Sequence, residues 1–191
     1  MLTHTSGIPS VTSLPDFKIW KLSDSTAEKT TGYVRDKPLE FPPGSQFHYS
    51  NSGYILLGYL IERISGQSYA EFLNQKIFTP LNMKDSGVDS NTAIIERRAS
   101  GYSPGKDHPE NASYTNMTFP HGAGALYATT EDLLRWNQGL FGGKLLTSES
   151  LKKMTTPFKD NYAFGLGVLK EKDRNLISHS GGIEGFNTNL R

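Results

Sequence analysis

Two short stretches of this 191-residue chain hold side chains that could move a proton or grip a carbonyl. In Tyr49-Ser50-Asn51 a phenol precedes an amide by two positions. A tyrosine whose pKa is lowered by nearby cations could act as a general base, and the amide could bind a substrate carbonyl. The same spacing recurs at Tyr114-Thr115-Asn116, and by residue type alone Tyr49 is equally a core aromatic and Asn51 equally a helix cap. The second stretch, His179-Ser180-Gly181-Gly182, sets an imidazole, a hydroxyl and glycine N–H groups at the end of an expected strand. Such an edge could hold an anion or an acyl oxygen. Its alternative is a hairpin end made of turn residues.

Other chemistries find less support. Ser-x-x-Lys, in which a lysine can take the serine proton, occurs at Ser103 to Lys106 and at Ser150 to Lys153. Ser103 precedes a proline in a loop, and Ser150 falls on a short polar helix, so neither is expected to be a nucleophile. His4, His48, His108 and His121 show no metal-ligand spacing among themselves, and no metal or cofactor is expected. The absence of cysteine excludes disulfides, thiolate zinc sites and a cysteine nucleophile. With 20 Lys+Arg against 19 Asp+Glu, and no long run of like charge, nucleic acid is not an expected partner. The longest apolar run, Tyr54 to Ile61, falls far short of the ~20 residues that span a bilayer. Two Asn-x-Ser/Thr sequons, at Asn111 and Asn116, carry no meaning without a secretory route.

The elements that would position these residues follow from pattern. Gly7 to Gly44, rich in Pro, Gly, Ser and Thr, predicts loops and short helical turns. A helix capped by Asn51 or Ser52 runs to about Ile64, with Leu57, Leu60, Ile61 and Ile64 on one face and Gly66 as its stop. Ser68-Tyr69-Ala70-Glu71 is a capping box opening a second helix, which Thr79-Pro80 ends. Asn82 to His121 reads mostly as loop. Thr129 to Asp132 starts a helix with Leu133, Trp136 and Leu140 on one face, and a shorter helix spans Ser148 to Met154. Phe164 to Val168 and Leu176 to Ser180 read as antiparallel strands around a polar turn at Glu171 to Asn175, and Gly185 to Arg191 as a further strand. Helices followed by a hairpin, without βαβ alternation, predict an α+β fold.

In order along the chain, these landmarks resemble the class C β-lactamases, D-alanyl-D-alanine peptidases and family VIII esterases. The resemblance rests on Leu2-Thr3-His4-Thr5-Ser6-Gly7-Ile8-Pro9, on Phe41-Pro42-Pro43-Gly44 through Tyr54, on Pro80-Leu81-Asn82-Met83, on Gly122 to Leu126 and on His179-Ser180-Gly181-Gly182. It implies a serine hydrolase acting through an acyl-enzyme on a small-molecule or peptide ester, amide or β-lactam. Tyr49 would activate the nucleophile or protonate the leaving group, Asn51 would bind substrate, and the strand from His179 through Gly182 would wall the acyl site. His179 stands where many relatives carry lysine, so a substrate carboxylate would lose a permanent cation. The family's Ser-x-x-Lys helix precedes the Thr-His-Thr-Ser-Gly segment. Residues 1–191 are therefore expected to form one partial domain, mostly helices and loops to about 157 and strands from about 158, inactive in isolation. Met1 to Gly7 lack the pattern of a secretion signal, whereas the resemblance implies a periplasmic or extracellular parent. A noncatalytic ligand-binding or scaffolding protein on the same fold is the alternative.

Overall fold

The computed structural model describes residues 1–191. Helices α1 (Phe17–Trp20), α2 (Ala27–Arg35), α3 (Asn51–Ser65) and α4 (Tyr69–Leu73) come first. Short strands β1 (Gly87–Val88), β2 (Tyr102–Pro104), β3 (Pro109–Asn111) and β4 (Leu126–Tyr127) form two small antiparallel pairs, β1 with β4 and β2 with β3. After α5 (Thr130–Phe141) and α6 (Ser148–Thr155), strands β5 (Gly167–Glu171), β6 (Arg174–Ile183) and β7 (Phe186–Leu190) make an antiparallel sheet with β6 in the middle. The fold is α+β.

The central helix, α3, packs differently from its apolar pattern. Its buried residues are Ser52, Gly53, Ile55 and Gly58, whereas Leu60 and Ile64 are exposed. Small side chains decide this. A Cβ at Gly58 would lie 2.6 Å from His121 Nδ1, so only glycine lets the 3-10 turn His121–Ala123 sit directly on the helix. Neither Asn51 nor Ser52 caps the helix, because both side chains serve the neighbouring segment: Asn51 Nδ2 donates to Thr12 Oγ1, and Ser52 Oγ accepts from the Val11 N–H. Ser50 is the N-cap residue, without a side-chain bond, and the Asn51 N–H is satisfied by Ser10 Oγ. The far end closes as expected, with Gly66 left-handed and its N–H on the Glu62 carbonyl.

Helix α2, nine residues long, exceeds the loops and short helical turns expected in this segment. Thr26 accepts from the Lys29 N–H, and Ala27, Thr30, Thr31 and Val34 are buried, a face too polar to announce itself. Val11, Ala27, Val34, Ile55 and Phe119 form one core, with Trp20 stacked on Tyr33 at 3.8 Å beside it. A second core joins Leu73, Phe78, Leu81 and Met83, with Trp136 packed against it. The capping box at Ser68 and Glu71 forms with both bonds in place. Beyond Leu73, α4 continues as a π turn, Asn74–Phe78, that carries Phe78 into this core. On α5, Thr129 accepts from the Asp132 N–H; α6 is capped likewise by Thr147.

Strand β5 begins three residues later than its alternating pattern suggests. Gly165 adopts φ +73° and gives its N–H to the Leu2 carbonyl, so Phe164 to Leu166 is a bend. The expected polar turn shrinks to Lys172-Asp173, with Lys172 at φ 54°. Register then separates the two halves of β6. Residues Arg174 to Ser178 pair with β5, whereas His179 to Ile183 pair with β7.

Candidate active site

Three backbone hydrogen bonds lay the first residues along the segment leading into α3: Glu40 N–H to Gly7, Gly44 N–H to Thr5 and His48 N–H to His4. The strap needs glycine at position 7, where φ is +74° and a Cβ would stand 2.3 Å from the Phe41 carbonyl oxygen. It delivers His4 beneath Tyr49, their ring centroids 4.0 Å apart.

His4 is the centre of an aromatic cluster. Tyr162 and Tyr54 lie 4.9 Å and 5.0 Å away and Phe47 6.0 Å. Only 2% of His4 is exposed, its Nδ1 accepts the Ser50 N–H at 3.0 Å, and its Nε2 has no partner. Burial, together with the neighbouring His179 and the chain's amino terminus, lowers its pKa to about 4, so it is neutral at pH 7. Sequence reasoning left His4 as an ordinary isolated histidine. The signal that marks it is its place in Thr3-His4-Thr5-Ser6-Gly7, the segment carrying the resemblance.

Tyr49, Asn51 and the His179-Ser180-Gly181-Gly182 strand line one broad, open groove, which Tyr114 and Thr115 also border. The ring of Tyr49 stands 6.2 Å from that of His179. Asn51 gives one amide hydrogen to Thr12 Oγ1 at 3.0 Å; the other hydrogen and Oδ1 make no bond within the chain. Ser180, Gly181 and Gly182 are exposed on the half of β6 that pairs only with β7, leaving one backbone edge open. Gly181 admits the side chain of Thr188, whose hydroxyl would meet a Cβ there at 2.6 Å.

The electrostatics of Tyr49 differ from the sequence expectation. Burial pushes its pKa up, and the ion pairs of lysine and arginine lie elsewhere, at Lys21–Glu184, Arg98–Asp89 and Arg135–Asp132. Among these residues the phenol is a proton donor rather than a ready base. Tyr162, which sequence reasoning did not single out, donates or accepts at His179 Nε2 over 3.0 Å.

The rival motifs disperse. Tyr114 is exposed and Asn116 is 5% exposed, with both amide atoms engaged: it donates to Asp24 and accepts from Asn91 and Thr118. That also closes the Asn116 sequon to modification in the folded chain. Ser103 pairs across a hairpin with Glu110, and Ser150 hydrogen-bonds Thr147, so neither is held by the lysine three residues on.

The beta-lactamase family model matches residues 1–191. The chain is 30% identical to penicillin-binding protein 4* of Bacillus subtilis over 98% of its length and 46% of that protein's. It is 31% identical to the mitochondrial serine beta-lactamase-like protein LACTB of Homo sapiens over 82% of its length and 34% of that protein's. Among solved structures, a penicillin-binding protein from Bacillus halodurans superposes with a TM-score of 0.82 at 26% identity, covering 99% of this chain and 62% of that one. The D-amino acid amidase of Ochrobactrum anthropi SV3, in complex with D-phenylalanine, superposes at 0.78 with 28% identity, covering 96% and 57%. The chain thus spans about half, or less, of the length of the curated relatives it matches. The family model over the whole chain, the relatives and the shared fold agree, and the chain belongs to the beta-lactamase family of serine β-lactamase and penicillin-binding-protein-like proteins.

Proposed function

We propose that this chain supplies one side of the acyl-transfer site of a serine hydrolase that cleaves an ester, peptide or β-lactam amide through an acyl-enzyme. The observation that carries the reading is the adjacency of Tyr49 and His179, their rings 6.2 Å apart, on a groove that the half-free Asn51 amide and the Ser180 to Gly182 edge also line. Tyr49 passes a proton between the nucleophile and the leaving group, Asn51 holds the substrate amide or ester carbonyl, and the open edge of β6 lines the acyl chain. A cation brought beside Tyr49 would lower its pKa and turn this proton donor into a base. The lysine of a Ser-x-x-Lys helix outside residues 1–191 has that charge, and its serine is the nucleophile. The complete protein is therefore the hydrolase, and residues 1–191 alone do not turn over.

The test pairs this chain with the same chain extended into its flanking reading frame. A fluorophosphonate and a fluorescent penicillin should label the extended form at a Ser-x-x-Lys serine and leave Ser103 and Ser150 of both forms unmodified. An adduct on either of those serines, or hydrolysis of an activated ester by residues 1–191 at the rate of the extended form, refutes the assignment. An extended form that binds substrate without any covalent adduct favours the noncatalytic scaffold.

A further inference from the structure

Tyr162 is held through both its backbone and its side chain. Asp160 and Asn161 both take positive φ, at 48° and 58°, which folds the backbone so that Tyr162 N–H meets the Lys159 carbonyl and the Tyr162 carbonyl meets the Phe158 N–H. A bridge to Gly167 ties the same residue to the start of β5. The side chain is 8% exposed, wedged against His4 and Phe47 at 4.9 Å and 5.4 Å between ring centroids, and its ring meets that of His179 edge-on. Its hydroxyl lies 3.0 Å from His179 Nε2. Tyr54 gives its own proton to the Leu2 carbonyl at 2.8 Å, which leaves its oxygen as the other acceptor beside the Tyr162 hydroxyl.

We propose that Tyr162 is a positioning residue: its O–H donates to His179 Nε2, locks the imidazole as the Nδ1–H tautomer, and leaves Nδ1–H as the group His179 offers to substrate. This rests on the reading that the His179 edge lines the acyl site. A buried phenol needs an acceptor for its proton, and a neutral imidazole has one bare nitrogen to give. Burial, with the neighbouring Tyr54 and Tyr49, raises the Tyr162 pKa far above the ordinary phenol value, so the O–H persists across the working range. Nδ1 of His179 makes no hydrogen bond within the chain, which leaves its proton for a ligand. A neutral N–H donor suits an uncharged acceptor, an ester or amide carbonyl, where a lysine at this place would suit a carboxylate. Tyr162 thereby biases the site toward substrates without a free carboxylate at that position.

Nitrogen-15 histidine spectra of the chain read the tautomer directly. His179 is expected as the Nδ1–H form in the parent and as a mixture of both neutral forms in Tyr162→Phe, whose ring preserves the packing and whose thermal midpoint should change little. A parent His179 in the Nε2–H form, or a tautomer unmoved by Tyr162→Phe, overturns the proposal. In the extended, active form Tyr162→Phe should lower kcat/KM for a neutral ester about three- to tenfold, the loss of one oriented hydrogen bond, and erase any preference over a matched substrate bearing a carboxylate. An unchanged preference also overturns it. A tautomer that responds to Tyr162→Phe while His179→Ala leaves turnover untouched upholds the lock and removes the acyl-site reading instead.

Discussion

Two segments of the molecule share the pattern Tyr-x-Asn and use it in opposite ways. At Tyr49-Ser50-Asn51 the amide opens a 15-residue helix, keeps an oxygen and a hydrogen unbonded, and faces the groove. At Tyr114-Thr115-Asn116 the amide is buried and saturated, tying Asp24, Asn91 and Thr118 together. An asparagine with nothing left to offer is architecture. One with a bond in hand and a groove in front of it is available for chemistry. The spacing is common to both, so what separates them is which hydrogen bonds the surroundings have already taken up.

The sharpest way to break the comparison is at the phenols. In the extended, active form Tyr49→Phe should reduce kcat by about 10²-fold, close to 2.7 kcal/mol of transition-state stabilisation, with KM little changed. Equal, modest losses for Tyr49→Phe and Tyr114→Phe in steady-state kinetics would return Tyr49 to an aromatic filler.

The amides should separate on stability. Asn116→Ala removes a buried amide that ties together the exposed side chains of Asp24, Asn91 and Thr118 and should cost about 1–2 kcal/mol in urea unfolding, whereas Asn51→Ala, with one bond to Thr12, should cost about 1 kcal/mol or less. The reverse order would mean that the buried amide is dispensable.

Acid should loosen the first segment through His4. Its folded pKa of about 4 lies below the ordinary 6.5, so the fold favours the neutral ring and the unfolded chain takes the proton first. That contribution to stability is complete above pH 6.5 and declines as the pH falls toward 4. Thermal unfolding followed across this range should show the decline, and His4→Gln should flatten it. An unaltered slope in that variant would place the acid sensitivity elsewhere. The smallest effect is expected at Tyr114→Phe, within about twofold of the parent in turnover and about 0.5 kcal/mol in stability, since the ring is exposed.

The contrast itself is not legible in the sequence, but many of the elements around it are. Turn and cap chemistry is local, so the Ser68 box, the Gly66 stop, the Thr129 start and the glycine turn before Phe186 could be read from neighbours in sequence. What escaped depends on contacts between distant segments. Helix α2 buries two threonines, which no apolar periodicity reports. Helix α3 buries its small face because His121 and Gly122 press on Gly58, a pairing across more than 60 positions that overrides the stripe of Leu60 and Ile64. The positions of Tyr49, Asn51 and His179 along one groove follow the family resemblance, while His4 and Tyr162 emerged only once the strap and the turn at Asp160 and Asn161 were seen to bring them beside His179.

The π turn at Asn74–Phe78 bears on how this chain tolerates changes in length. An α-helix advances each residue by about 100° around its axis, and a π turn takes up one residue beyond the α count. Removing a single residue between Leu73 and Phe78 would let α4 run on as a regular helix with Phe78 still close to Leu81 and Met83, because the π turn holds the one residue in excess. Homologues lacking one residue at this point should therefore keep an aromatic or aliphatic side chain at the place of Phe78, whereas a one-residue deletion in the regular turns of α3 would rotate everything after it by about 100°.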